Sequence, residues 1–67
     1  MENNERLVIV LKHLIEHNEG HREDYTRWIE LATEAGMGKV ALLIAEARTH
    51  VEKAGEALKE ALGFVAG

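Results

Sequence analysis

Apolar residues recur along this chain at alternating steps of four and three, the spacing of a helix that buries one side against a neighbour. From Leu7 the steps meet Leu11, Leu14, Asn18, His21, Tyr25, Trp28, Ala32 and Ala35; from Val40 they meet Ile44, Ala47, Val51, Ala54, Leu58, Ala61 and Val65. The phase has one strong break, Gly36-Met37-Gly38. Gly36 can take the left-handed conformation that ends a helix, and Gly38 can open the next one. The sequence contains no Pro to interrupt either run. It therefore predicts an all-α fold, a helical hairpin with helices over about residues 4–35 and 39–62. Asn3 or Asn4 is the expected cap of the first helix, and Gly63 before Phe64 the expected stop of the second. A weaker break at Asn18-Glu19-Gly20 keeps a three-helix bundle as the alternative, because Gly costs about 1 kcal/mol against Ala in a helix interior.

A hairpin turning at Met37 pairs positions that lie symmetrically about that residue. Leu31 then meets Leu43, Val10 meets Phe64, Asp24 meets His50 and His17 meets Ala57, so apolar ends enclose a polar centre. Tyr25 and Trp28 are expected to fill the core, with Ala47, Ala54, Ala57 and Ala61 allowing the helices to approach closely. Asn18, polar on an apolar seam, reads as a device that fixes register and oligomeric state. Glu52, Lys53, Glu56, Lys59 and Glu60 form a solvated face.

The chain has 67 residues, one domain over 1–67, and a chain this short buries too little surface to be comfortable alone. Leu7-Val8-Ile9-Val10-Leu11 is apolar on every face, which one helical neighbour cannot cover. At about 1.5 Å per residue the first helix would outrun the second by roughly 12 Å. Pairing of two hairpins into a four-helix bundle is the simplest closure, so a homodimer or a higher homo-oligomer is expected.

Composition excludes several classes of chemistry. With no Cys there can be no disulfide, thiolate metal site, iron–sulfur cluster or cysteine nucleophile. Ser is absent as well, and Thr26, Thr33 and Thr49 have no catalytic motif around them. Eight Lys and Arg against twelve Asp and Glu, scattered without a run, argue against nucleic acid. The longest apolar stretch is far below the roughly 20 residues of a membrane span, and the acidic Met1-Glu2-Asn3-Asn4-Glu5 is unlike a signal peptide. A cytoplasmic protein without an organic cofactor is the expectation.

One pattern carries chemistry. His13, His17 and His21 follow one another at helical i, i+4 spacing, so consecutive imidazoles project from nearly one face and two can reach one metal ion. Each step drifts by about 40° around the helix. This places His21 on the expected seam, His17 at its edge and His13 furthest towards solvent. His50 falls about one turn from His21 in the hairpin register and faces Asp24. His17, His21 and His50, with Asp24 or Glu46 supplying a carboxylate, make a candidate nitrogen and oxygen site for zinc, nickel, cobalt or copper, with zinc or nickel favoured. On a dimer axis such a site could draw histidines from both chains. The competing reading is structural, an Asp24–His50 pair or a polar layer within the bundle.

The stretch His13-Leu14-Ile15-Glu16-His17-Asn18-Glu19-Gly20-His21 resembles a His-x-x-x-His-Asn-x-x-His pattern of small uncharacterised helical proteins of bacteria and archaea. The resemblance covers about the first 35 residues. It implies an all-helical fold and a connection with metal, and no activity.

Three function classes follow. The first is a non-enzymatic metal-binding bundle for storage, sensing or delivery of a divalent transition metal. The second is a helical protein–protein interaction module, an adaptor or antitoxin-like partner with structural histidines, motivated by the Leu7 to Leu11 run. The third, a di-metal carboxylate enzyme, needs Glu-x-x-His, and the nearest approach, Glu46-Ala-Arg-Thr-His50, is one residue too long.

Overall fold

A computed structural model describes residues 2–66; Met1 and Gly67, the two ends of the expected domain, lie outside them. The chain is a hairpin of two helices, α1 over Asn3–Glu34 and α2 over Gly38–Ala66, packed along their length. Its extents are 51 × 15 × 12 Å, those of a rod one helix thick in one direction and two in another.

The turn follows from two glycines. Gly36 has φ 75°, the left-handed region, and its N–H donates to Thr33 O at 3.1 Å while Met37 N–H donates to Ala32 O at 2.8 Å. This pair of bonds is a Schellman motif, which satisfies two of the carbonyls that a helix end leaves open. Met37 O accepts from Ala41 N at 3.0 Å and so starts α2.

Three boundary expectations need correction. α1 runs unbroken through Asn18-Glu19-Gly20, so the three-helix alternative falls. A Cβ at Gly20 would meet nothing within 4 Å, so this residue is a tolerated weak point in a helix held by packing. The residue capping α1 is Glu2 rather than Asn3 or Asn4, with no side-chain cap bond. Gly63 does not stop α2, which continues through Phe64, Val65 and Ala66. The longer α2 leaves α1 little overhang.

The register is the one expected. Arg22 pairs with Glu52 at 3.3 Å and Arg48 donates to Thr26 Oγ1 at 3.2 Å, and both pairs are symmetric about Met37. Thr26 also donates to Arg22 O at 3.1 Å, so one hydroxyl links the two arginines. Between these contacts and the open ends, Asn18 Nδ2 donates to Val51 O at 2.9 Å. The bond needs room, and Gly55 provides it: a Cβ there would stand 2.9 Å from the same nitrogen. Asn18 is thus the cross-helix register contact within the hairpin.

The contact face is rotated from the expected seam. Half-buried or buried positions in α1 run Val8, Leu11, Ile15, Asn18, Asp24, Tyr25, Thr26, Ile29 and Ala32; those in α2 include Ala41, Ile44, Arg48, Val51, Gly55, Leu58, Leu62 and Val65. One column of each helix was expected (Leu11, Asn18, Tyr25, Ala32; Ile44, Val51, Leu58, Val65). The other column is displaced by one residue. Leu7, Leu14, His21 and Trp28, and Val40 and Ala54, lie exposed instead, with Trp28 54% accessible. The reason lies in the width of the apolar surface. α1 carries three adjacent apolar columns, two are enough for one neighbour, and the pair chosen places Ala32, Ala41 and Gly55 where the backbones approach. Of the stripe assigned to close approach, Ala54 and Ala57 are exposed.

Among the described residues only Ala32, 7% accessible, and Ala41, 9%, are buried, and no large side chain is fully enclosed. Leu31, Leu43, Val10 and Phe64 are level with their expected partners but exposed. No helix is long and apolar enough to cross a membrane.

Candidate metal centre

The histidines stand on the exposed columns of α1, at mid-length of the rod. Helical spacing brings His17 and His21 together, with Nε2 to Nε2 at 3.0 Å, ring centroids 4.5 Å apart and the rings perpendicular. His13 stacks on the other side of His17, 6.3 Å between centroids and 17° between planes. All three are exposed, so the expected gradient from seam to solvent is absent. A shallow concavity is lined by His13, Glu16, His17, Gly20, His21 and Asp24, all from α1. The missing side chain of Gly20 helps to open it.

The other two candidates are elsewhere. His50 and Glu46 are exposed on α2 and do not line this concavity. Nor does Asp24 pair with His50: its carboxylate accepts a bond from Arg27 Nη2, three residues along α1. The expected intrachain set of His17, His21 and His50 is therefore not assembled. Among the described residues of one chain, no three His, Asp or Glu form a group able to hold a metal ion.

The 3.0 Å between Nε2 atoms is informative. Two imidazoles on one tetrahedral ion, each about 2.0–2.1 Å from it, have nitrogens about 3.3 Å apart. The pair is preset close to that bite, and without a metal one ring donates a hydrogen bond to the other. A single chain offers half of a four-ligand shell. Asp24, one turn from His21, and Glu16, next to His17, are the carboxylates on the same concavity.

Two further features lie outside the sequence expectations. Tyr25, Trp28, Val40, Leu43, Ile44 and Ala47 line an apolar groove between the helices on the same side as His21, towards the turn. The opposite side is charged: Asn18, Glu19, Arg22, Glu52, Gly55, Glu56 and Lys59 line it, and Arg22 bonds to both Glu19 and Glu52. The Glu52 hydrogen bond, then its charge and that of Glu19, hold the Arg22 guanidinium above its ordinary pKa. The signal for this rotation was present in Arg22 and Glu52, whose symmetry about Met37 makes them a cross-helix pair.

No curated protein and no solved structure matches the chain. Residues 7–65, which include both helices and the histidine cluster, match a family described as a domain of unknown function, DUF8180, and the chain belongs to that family.

Proposed function

We propose that this protein is a non-enzymatic, homodimeric helical bundle that binds a divalent transition metal through its histidines, for storage, sensing or delivery. The observation that carries the reading is the His17–His21 pair, with two Nε2 atoms 3.0 Å apart and open to solvent. An all nitrogen and oxygen donor set suits zinc, nickel, cobalt or copper. Dimerisation is supported by the exposed columns, which hold Leu7, Leu14, Trp28, Val40 and Leu43 on a chain that encloses no large side chain of its own.

Titration of the purified metal-free protein with zinc, nickel, cobalt and copper tests the metal reading. Binding tighter than about 10 μM is expected for at least one of them, lost when His17 and His21 are both replaced by Ala. Absence of such binding, or its survival in the double variant, overturns it.

Phe64, 85% accessible at the end of α2, favours a second reading, a helical adaptor with structural histidines and another protein as partner. Co-purification of a stoichiometric partner with a metal-free chain would select that alternative.

A further inference from the structure

We infer that the metal is shared by two copies of this chain, held by His17 and His21 from each across a two-fold axis. The inference rests on the metal-binding reading and deepens it. Among its described residues one chain brings two imidazoles together and no third group arranged to join them. A second copy supplies what is missing, and the sequence of the exposed columns shows how it docks.

Along α1 these columns read Leu7, Val10, Leu14, His17, His21, Asp24, Trp28 and Leu31, all exposed except the half-buried Asp24. Of the four pairs in this series, one sets Leu14 against Asp24, and three are self-complementary about the level of Glu19. Leu7 and Leu31 are equidistant from it, as are Val10 and Trp28, and as are His17 and His21. A two-fold axis crossing the helices at that level lays α1 antiparallel on α1 of the partner subunit. Large apolar residues then meet large apolar residues at both ends, and each His17 meets His21 of the partner subunit. Such an isologous contact uses one patch twice.

The matching columns of α2 follow the symmetry in part: Leu43 and Phe64, and the half-buried Ala47 and Ala61, are equidistant from about Ala54, while His50 falls opposite Ala57 and Val40 has no counterpart. That centre is close to the level of Glu19 in the hairpin register, so one axis serves both helices. Small residues in the middle of α2 let the two hairpins approach, as a four-imidazole site requires. The charged side, with Arg22, Glu52 and Lys59, has no such symmetry of apolar ends and stays in water.

The test uses the full chain and cobalt(II) chloride, whose visible spectrum reports tetrahedral coordination. Wild-type chains bind one cobalt per two chains, and the loaded protein sediments as a dimer. Wild-type chains are then refolded with an equal amount of the His17→Ala, His21→Ala double variant, whose helicity and dimerisation are checked first. At constant total chain, tight capacity falls to about one quarter of the wild-type value if the site needs both copies, and to about one half if each chain binds alone. A capacity of one half, or one cobalt per chain on a monomer, overturns the shared site and leaves metal binding standing. Absence of binding by any of the four metals overturns both.

Discussion

The hairpin has two flanks between its helices, and they are built from opposite materials. On one, which Glu56 and Lys59 also line, Arg22 of α1 bonds to Glu52 of α2 and to Glu19 of its own helix. On the other, Tyr25, Trp28, Val40, Leu43, Ile44 and Ala47 form a groove without polar lining towards the turn, and the histidines stand further along the same side of α1. A flank whose charges are paired within the chain is finished. A flank that leaves apolar side chains in water carries the kind of area that association removes. The contrast shows that a third apolar column on α1 is a surplus over what α2 can cover, and most of that surplus lies on one side, with Ile9 and Leu42 exposed on other columns.

The largest effect should come from spoiling the apolar flank. Trp28→Glu removes a side chain that is 54% accessible in the single hairpin. An aromatic side chain buries on the order of 150–250 Å². At about 25 cal/mol per Å², covering the exposed half of Trp28 in both copies contributes about 4 kcal/mol, or about 1,000-fold in Kd. Sedimentation equilibrium should therefore find Trp28→Glu monomeric at concentrations where the proposed wild-type dimer forms. A dimer of unchanged affinity would break the comparison.

Gly36→Ala acts on both flanks equally, since it strains the turn that aligns them. A left-handed residue with a Cβ costs about 1–2 kcal/mol, read as a lower midpoint in urea at fixed protein concentration. Gly20→Ala should move the other way. Gly20 borders both the histidine concavity and the charged flank beside Lys12 and Glu23, has space for a Cβ, and lies within a continuous helix. A gain of about 1 kcal/mol in thermal melting is expected; a loss would mean that the helix needs its hinge.

Gly55 sharpens the comparison at the seam between the flanks. A Cβ there displaces the Asn18 amide, so the gain in helix propensity and the loss of one hydrogen bond, each about 1 kcal/mol, nearly cancel. Gly55→Ala should be near neutral alone and stabilising by about 1 kcal/mol in an Asn18→Ala background. Additive effects in that double-mutant cycle would deny the contact. Glu52→Gln on the charged flank should do least, since the Arg22 and Glu52 side chains are 45% and 42% accessible. Neither the melting temperature nor the dimer constant should change measurably.

The architecture was legible because its signals are local. Gly36 demands a left-handed residue, the heptad phase survives the polar middle, and symmetry about Met37 finds the register that Arg22–Glu52 and Thr26–Arg48 display. Gly63 misled because a glycine followed by an apolar residue also occurs inside a helix whose next turn, through Val65, still packs. The rotation of the seam was less legible, for a physical reason. Leu7, Leu14 and Trp28 compete with Val8, Ile15 and Ile29 for the same neighbour, and apolar spacing scores both alike. What decides is the opposing column, where Gly55 and Arg48 look poor as core residues until Asn18 and Thr26 are placed against them. The candidate site inherited that difficulty. His17 and His21 meet because one helix sets their distance, whereas His50 required the rotation to be right.

The tight turn also has a kinetic meaning. Ala32 and Ala41, the two most enclosed residues, stand immediately on either side of it. Each contact further along the rod closes a longer loop, at a cost that grows with the logarithm of its length. Assembly should therefore proceed as a zipper from Gly36 outwards, and opening should begin at the far ends, around Val8 and Val65. Amide hydrogen exchange on a monomeric variant would show protection graded along both helices, slowest to exchange beside the turn and intermediate at the histidine band. The His17–His21 pair thus occupies the stretch of the molecule where the proposed ion, holding two copies together, would arrest the unzipping halfway.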